Sequence, residues 1–144
     1  MGLLSRLAGA VGFKTDEGGA RTERQKTGDR GEMLAASYLK SRGYMVLTRN
    51  FRTKHGEIDI VAFRDGVVAF VEVRTVTAPA RVDPRYSVGG RKRERVLRAA
   101  QRYRRVHGLD HEDDVTTRFD VLTVRLSPGD GDHQVDHLPN AFRP

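Results

Sequence analysis

Acidic residues set inside strongly apolar segments carry the chemistry of this chain. They occur in Gly56-Glu57-Ile58-Asp59-Ile60-Val61-Ala62 and, after a short turn, in Phe70-Val71-Glu72-Val73-Arg74. Asp65-Gly66 between two runs rich in Val, Ile and Phe is a strong two-residue hairpin signal, and such a turn fixes strand register. Arg64 then faces Val67, Asp59 faces Glu72 and Glu57 faces Arg74, with all four charged side chains of the last two pairs on one face. Directly opposed residues on antiparallel strands have Cβ atoms about 4.5–5.5 Å apart, a separation at which like charges destabilise a sheet. Something must therefore neutralise Asp59 and Glu72. A hard divalent cation is the natural candidate, because Mg²⁺ is held by one or two carboxylates and completes its octahedron with water and substrate phosphate. That arrangement is phosphodiester chemistry. The bland alternative is an ion pair of Glu72 with Arg74 or another basic residue, with Asp59 solvated at a sheet end.

These strands need elements to hold and cover them. Residues 14–27 are polar and lack apolar periodicity, so a flexible basic arm is expected over residues 1–26 and a single domain over 27–144. Residues 27–42 read as a helix, with Leu34, Ala35, Tyr38 and Leu39 as its apolar stripe and Gly43 as its stop. Glu32 lies beside that stripe and is aimed partly at the sheet; its alternative role is a first-turn acid favoured by the helix dipole. Residues 44–51 alternate as a strand, 53–56 turn, and the two carboxylate strands complete a three-stranded meander. Residues 76–90, with two prolines and a Gly-Gly pair, read as a long mobile loop in which Arg81, Arg85 and Tyr86 are available to a phosphate or a base.

A second helix is expected over 91–106, with Val96, Ala99, Ala100, Tyr103 and Val106 facing the core. Its other face is cationic: residues 91–105 hold eight basic side chains and one acid, Glu94. That density suits a nucleic-acid backbone. Residues 118–126 alternate as a strand, Pro128-Gly129-Asp130-Gly131 turns, and 134–138 form a short last strand. Asp120 is close enough in the pattern to approach the site, but a structural role, paired with Arg118 or capping a neighbour, is the expected one. His133 and His137 share one face of the last strand, which makes a weak zinc candidate.

Further pieces extend the pattern: Gly31-Glu32 opening a helix, Arg49-Asn50 before a turn, Lys92 in the basic helix, Arg118-Phe119-Asp120, and Asn140-Ala141-Phe142 at the close. Together these residues resemble the bacterial YraN-like proteins of the PD-(D/E)XK nuclease superfamily, over most of the chain. The spacing of Asp59 and Glu72 is also similar to that of archaeal Holliday junction resolvases. The resemblance implies an α/β fold, a single restriction-endonuclease-like domain with a mixed central β-sheet flanked by helices. It implies a metal-dependent endonuclease that hydrolyses phosphodiester bonds of DNA, branched or junction DNA included. Asp59, Glu72, the Val73 backbone carbonyl and Glu32 would hold Mg²⁺ or Mn²⁺, and position 74 would carry the basic catalytic residue.

Position 74 departs from the superfamily pattern, which places lysine there. Lysine is a compact, rotatable point charge, whereas the Arg74 guanidinium is broad, planar and effectively never deprotonated. Arg74 can stabilise transition-state charge but cannot act as a base. Lys54, His55 and Lys92 are candidates to supply the missing amine, each otherwise a surface charge. Expected nucleic-acid contacts are Arg91, Lys92, Arg93, Arg95, Arg98, Arg102 and Lys54. Junction-cutting relatives act as dimers, so a homodimer is one expected assembly. The alternative is a catalytically weakened nuclease fold that binds nucleic acid as an accessory factor.

Composition agrees with a polyanionic partner. The 144 residues carry 26 Lys and Arg against 19 Asp and Glu, a formal net charge of +7. The absence of cysteine excludes disulfides and thiolate metal sites. No run approaches the ~18 apolar residues of a membrane span. Residues 1–13 are broken by Arg6 and read as an amphipathic lead, so a cytoplasmic protein is expected. A protein-interaction module meeting an acidic partner is a third class of function; salt-sensitive nucleic-acid binding would count against it.

Overall fold

The structure, a computed structural model, describes Leu7 and residues 19–77, 89–129 and 131–144. Its elements are α1 (Glu23–Ser41), β1 (Met45–Arg52), β2 (Glu57–Arg64), β3 (Val67–Thr77), α2 (Gly90–Val106), a 3₁₀ turn (Leu109–His111), β4 (Thr116–Leu126) and β5 (His133–Phe142). The five strands form one sheet in sequence order. β1–β2, β2–β3 and β4–β5 pair antiparallel, whereas β3 and β4 run parallel, α2 lying between them in the chain. The expected α/β architecture, a mixed sheet flanked by two helices, is what forms.

The β2–β3 hairpin has the register dictated by its turn, from Arg64–Val67 to Ile60–Val71. Asp65 and Gly66 both have positive φ, 49° and 76°, the backbone that a tight two-residue hairpin requires. Each sheet face buries its own core. Under α1 lie Ala35, Ala36, Leu39, Ile60, Ala62, Val71, Leu122 and Val124; under α2 lie Val61, Val68, Phe70, Val96, Ala99, Tyr103 and Phe119.

Helix α1 begins four residues before the expected start. Thr22 Oγ1 accepts the Gln25 N–H at 3.2 Å and Gln25 Oε1 accepts the Thr22 N–H at 2.9 Å, a reciprocal cap that places the start inside a polar run. Of the arm expected over 1–26, Leu7 is buried in the α2-side core and residues 23–26 form the first turn of α1. Helix α2 buries Val96, Ala99, Ala100 and Tyr103, but Val106 at its last turn is 55% exposed, contrary to the expected stripe. Strand β3 continues through Thr77, and the loop residues Arg81, Arg85 and Tyr86 lie outside the described residues.

Strand β5 runs four residues beyond the expected 138 and ends where Phe142 stacks on Phe119 at 5.1 Å. Pro139 is tolerated there because β5 is an edge strand with no ladder partner on its outer side among the described residues. The other edge, β1, has a register break between Val46 and Thr48 and a positive φ of 52° at Asn50.

Asp120 is fully buried and occupies a break in the β4–β5 register between Phe119 and Val121. It accepts hydrogen bonds from Arg118 Nε and Nη2, both at 2.8 Å, and from the Asn140 N–H at 3.0 Å, and it contacts His137 Nε2 at 2.8 Å. Arg118 Nη2 also donates to Tyr44 Oη at 2.8 Å. Burial alone would raise the Asp120 carboxyl; His137, Arg118 and the Asn140 amide outweigh it and hold the group below its ordinary value. The structural role expected for Asp120 is the one it has. His137 is committed to this network, so it does not join His133 in a shared ligand pair.

Candidate functional site

The candidate site lies where β2 and β3 separate. Their backbone pairing ends at Ile60–Val71, and beyond it Asp59 Oδ2 accepts the Val73 N–H at 2.8 Å in place of a backbone carbonyl. Strict alternation also fails there. Ile60 and Ala62 pack under α1, but Ile58 and Val61, three residues apart, both pack under α2. Asp59 therefore sits in the opening of the sheet.

This corrects the expected common face for four charged side chains. Glu57 and Asp59 line an α1-side cavity of ≈ 670 Å³ together with Glu32, Asn50, Arg52, Val73 and Thr75. The Glu72 carboxylate keeps its hydrogen bond to the Asp59 side chain but is absent from that lining and forms an ion pair with Lys92 Nζ of α2, and Glu57 pairs with Arg52 at 3.7 Å. Arg74 is absent from the cavity lining and has no ion pair or hydrogen bond among the described residues.

Glycine sets the position of both walls. A Cβ on Gly31 would come within 1.8 Å of Thr75 Oγ1, so the missing side chain lets α1 rest directly on β3 and brings Glu32 over the sheet opening. A Cβ on Gly56 would lie 1.8 Å from the Arg95 carbonyl oxygen, so the turn before β2 touches the α2 backbone. Thr53 Oγ1 fixes that turn by accepting the Gly56 N–H at 3.0 Å and the His55 N–H at 3.2 Å.

The carboxyls of the site are reluctant to ionise. Burial first, and Asp59 second, push Glu32 up to about 7 against the pull of Arg49. Burial and Asp59 likewise push Glu72 up to about 8 although Lys92 opposes them. Burial also raises Asp59, against the Val73 amide, Glu72 and Lys92. Lys92 is the counterpart: burial pulls its ammonium down, but Glu72 and then Asp59 outweigh that and raise it. Glu32 Oε1 is buried with no hydrogen-bond partner, its nearest opposite charge being Arg49 Nε at 3.5 Å. These acids surround the opening without closing a cage, and no group of three or more metal-ligating side chains converges among the described residues. An added cation would favour the ionised form of each.

The expected nucleic-acid contacts divide among several tasks. Lys92 reaches the carboxylates, and the Arg93 guanidinium lies 5.3 Å from the centre of the Phe142 ring. Arg91 and Arg95 are exposed near the start of α2. Lys54, Arg98 and Arg102 share a second groove with Arg52, His55 and Arg105. Sequence reasoning missed Arg52 at the site, knew Arg49 only as a piece of the family pattern, and named Lys92 as a candidate amine without joining it to Glu72. No local pattern could have joined Lys92 to Glu72, which is twenty positions away in the chain. No helix among the described residues is long and apolar enough to cross a membrane.

Proteins of similar sequence are numerous. One from Anaeromyxobacter dehalogenans is 44% identical over 126 residues, covering 87% of this chain and 90% of the relative. Another, from Trichlorobacter lovleyi, is 44% identical over 119 residues and covers 82% and 91%. A third, from Alkaliphilus oremlandii, is 39% identical over 118 residues and covers 82% and 98%. Each of the three is described as a UPF0102 protein. The profile of the uncharacterised protein family UPF0102 matches residues 31–124, which run from the α1 glycine through the Asp59–Glu72 hairpin and α2 into β4. The chain therefore belongs to the UPF0102 family.

Proposed function

We propose that the protein is a divalent-metal-dependent phosphodiester hydrolase acting on nucleic acid, DNA foremost, built on the PD-(D/E)XK plan of the YraN-like proteins it resembles. The observation that carries this reading is the meeting of Asp59 and Glu72 in the sheet opening, with Glu32 above them on α1 and Lys92 reaching Glu72 from a cationic helix. The donors on offer are all oxygen, from the three carboxyls and the Val73 carbonyl, which suits Mg²⁺ or Mn²⁺. Glu32 Oε1, met by Arg49 Nε only at 3.5 Å among the described residues, and the raised carboxyls fit a site whose charge balance an ion would complete. When bound, such an ion would withdraw charge from the scissile phosphate and acidify the attacking water.

The remaining work falls to this chain's own groups. Asp59 is held in place by the Val73 amide. Lys92 brings to Glu72 the compact ammonium that the superfamily pattern expects from position 74, and with three donors it can hold Glu72 and a phosphoryl oxygen together. Labelled linear, flap and four-way-junction DNA should be cut in Mg²⁺ or Mn²⁺, and Asp59→Ala should lower the rate at least about 100-fold. Lys92→Ala should cost more activity than Arg74→Ala. A native protein that binds neither ion by calorimetry overturns the reading.

Arg74 in the lysine position favours a second reading, a nuclease fold kept as a nucleic-acid-binding accessory factor. Binding without cleavage by the native protein, with cleavage gained by Arg74→Lys, would select it.

A further inference from the structure

A groove of ≈ 840 Å³ separates the turn before β2 from the outer face of α2. Arg52, Lys54, Arg98, Arg102 and Arg105 line it together with His55, and no acidic side chain among the described residues does. All six are exposed. Phe51, Gln101 and Val106 supply part of the remaining surface. Arg98, Arg102 and Arg105 fall at helical positions i, i+4 and i+7, so like charges stack on one stripe of α2. Such neighbours repel, at about 0.2–0.5 kcal/mol per pair. Glu94, at 2.7 Å from Arg98, offsets part of this repulsion on one guanidinium. The excess charge is concave, concentrated and held by a fixed contact, since Gly56 sets the turn against the Arg95 carbonyl.

Arg52 also lines the carboxylate cavity, so one residue is common to the walls of both hollows. We infer that this groove is the track for a nucleic-acid strand leaving the carboxylate cavity, its successive phosphates passing from Arg52 to Lys54, Arg98, Arg102 and Arg105. The inference rests on the nucleic-acid reading proposed above and specifies the path. A track of arginines and one lysine contacts phosphates and reads no base, so binding through it is salt-sensitive and tolerant of sequence.

The test is fluorescence anisotropy of labelled single-stranded DNA, duplex DNA and single-stranded RNA of one sequence, titrated in EDTA so that no cleavage takes part. The native protein is compared with Arg98→Glu/Arg102→Glu, with the milder Arg98→Gln/Arg102→Gln, and with Lys40→Glu, an exposed charge on α1 away from the groove. The inference expects at least a tenfold loss for the Glu pair, a smaller loss for the Gln pair and less than a twofold change for Lys40→Glu. It also expects the slope of log affinity against log salt to fall by about 1.4–1.8 when two phosphate contacts go. Tighter binding of the single-stranded probes than of duplex supports the one-strand track, and the better of DNA and RNA names its source. Oligonucleotide binding that both groove variants retain overturns the track while leaving the nucleic-acid reading intact. No binding of any probe by the native protein overturns both.

Discussion

Two buried carboxylate regions on the same sheet are handled in opposite ways. Asp120, between β4 and β5, has its charge met by Arg118, the Asn140 amide and His137, and its carboxyl is held below the ordinary value. Asp59, Glu72 and Glu32, around the opening between β2 and β3, are all raised, and burial is the first cause for each. Both regions bury acids beside arginine or lysine. The difference is saturation: Arg118 gives Asp120 two charge-assisted hydrogen bonds, whereas Arg49 meets Glu32 at 3.5 Å and Lys92 faces a pair of acids. A saturated carboxylate locks structure. An undersaturated group remains available to an incoming charge.

The sharpest way to break this contrast is to remove one acid from each region. Asp120→Ala empties a fully buried position and strips the partly buried Arg118, His137 and the Asn140 amide of their shared acceptor, and should cost about 3–5 kcal/mol in urea unfolding. Asp59→Ala removes a group that the fold holds at a cost, and should change stability far less. Equal losses would erase the distinction. Gly31→Ala comes next: a methyl 1.8 Å from Thr75 Oγ1 must push α1 off β3, at about 1–3 kcal/mol. Because Glu32 moves with α1, this variant should also weaken Mn²⁺ binding, measured by calorimetry.

The smallest effect is a pH dependence of opposite sign in the two regions. A lowered carboxyl contributes stability that is present above its unfolded value, 3.8 for Asp120, and lost as pH falls through its folded value. A raised carboxyl works the other way. Between the unfolded 4.5 and the folded values of about 7 for Glu32 and about 8 for Glu72, the native state keeps protons that the unfolded chain has released. Stability should therefore fall as pH climbs from about 5 to 8, and then level. Urea midpoints across that range should show it, and Glu32→Gln should flatten part of the decline and gain about 1 kcal/mol above pH 7. A decline unchanged in Glu32→Gln would remove Glu32 from the account.

What the sequence makes legible follows the range of the forces involved. Asp65-Gly66 fixes its hairpin locally, so the register from Arg64–Val67 to Ile60–Val71 could be counted from the turn. The buried stripe of α2 was readable because Val96, Ala99, Ala100 and Tyr103 recur at helical spacing. Counting failed where pairing ends, since beyond Ile60–Val71 no ladder bond keeps Asp59 and Ile58 in phase with β3. The start of α1 was hidden because the Thr22–Gln25 cap is polar and leaves no apolar period. Lys92 reaches Glu72 across a long stretch of intervening chain, and a pairing set by packing of α2 has no local signature.

The sheet is open, and its two rims bear on how copies of the chain can associate. An unprotected rim offers a row of backbone donors and acceptors to any passing strand. β1 breaks that row with its register slip, the left-handed Asn50 and the charges of Arg49 and Arg52; β5 breaks it with Pro139 and Asp136. Strand-to-strand growth into fibres, or into a dimer with one continuous ten-stranded sheet, is thereby discouraged at both ends. A second copy recruited to bring two centres onto one branched substrate would have to dock through helices or loops, leaving both rims to solvent.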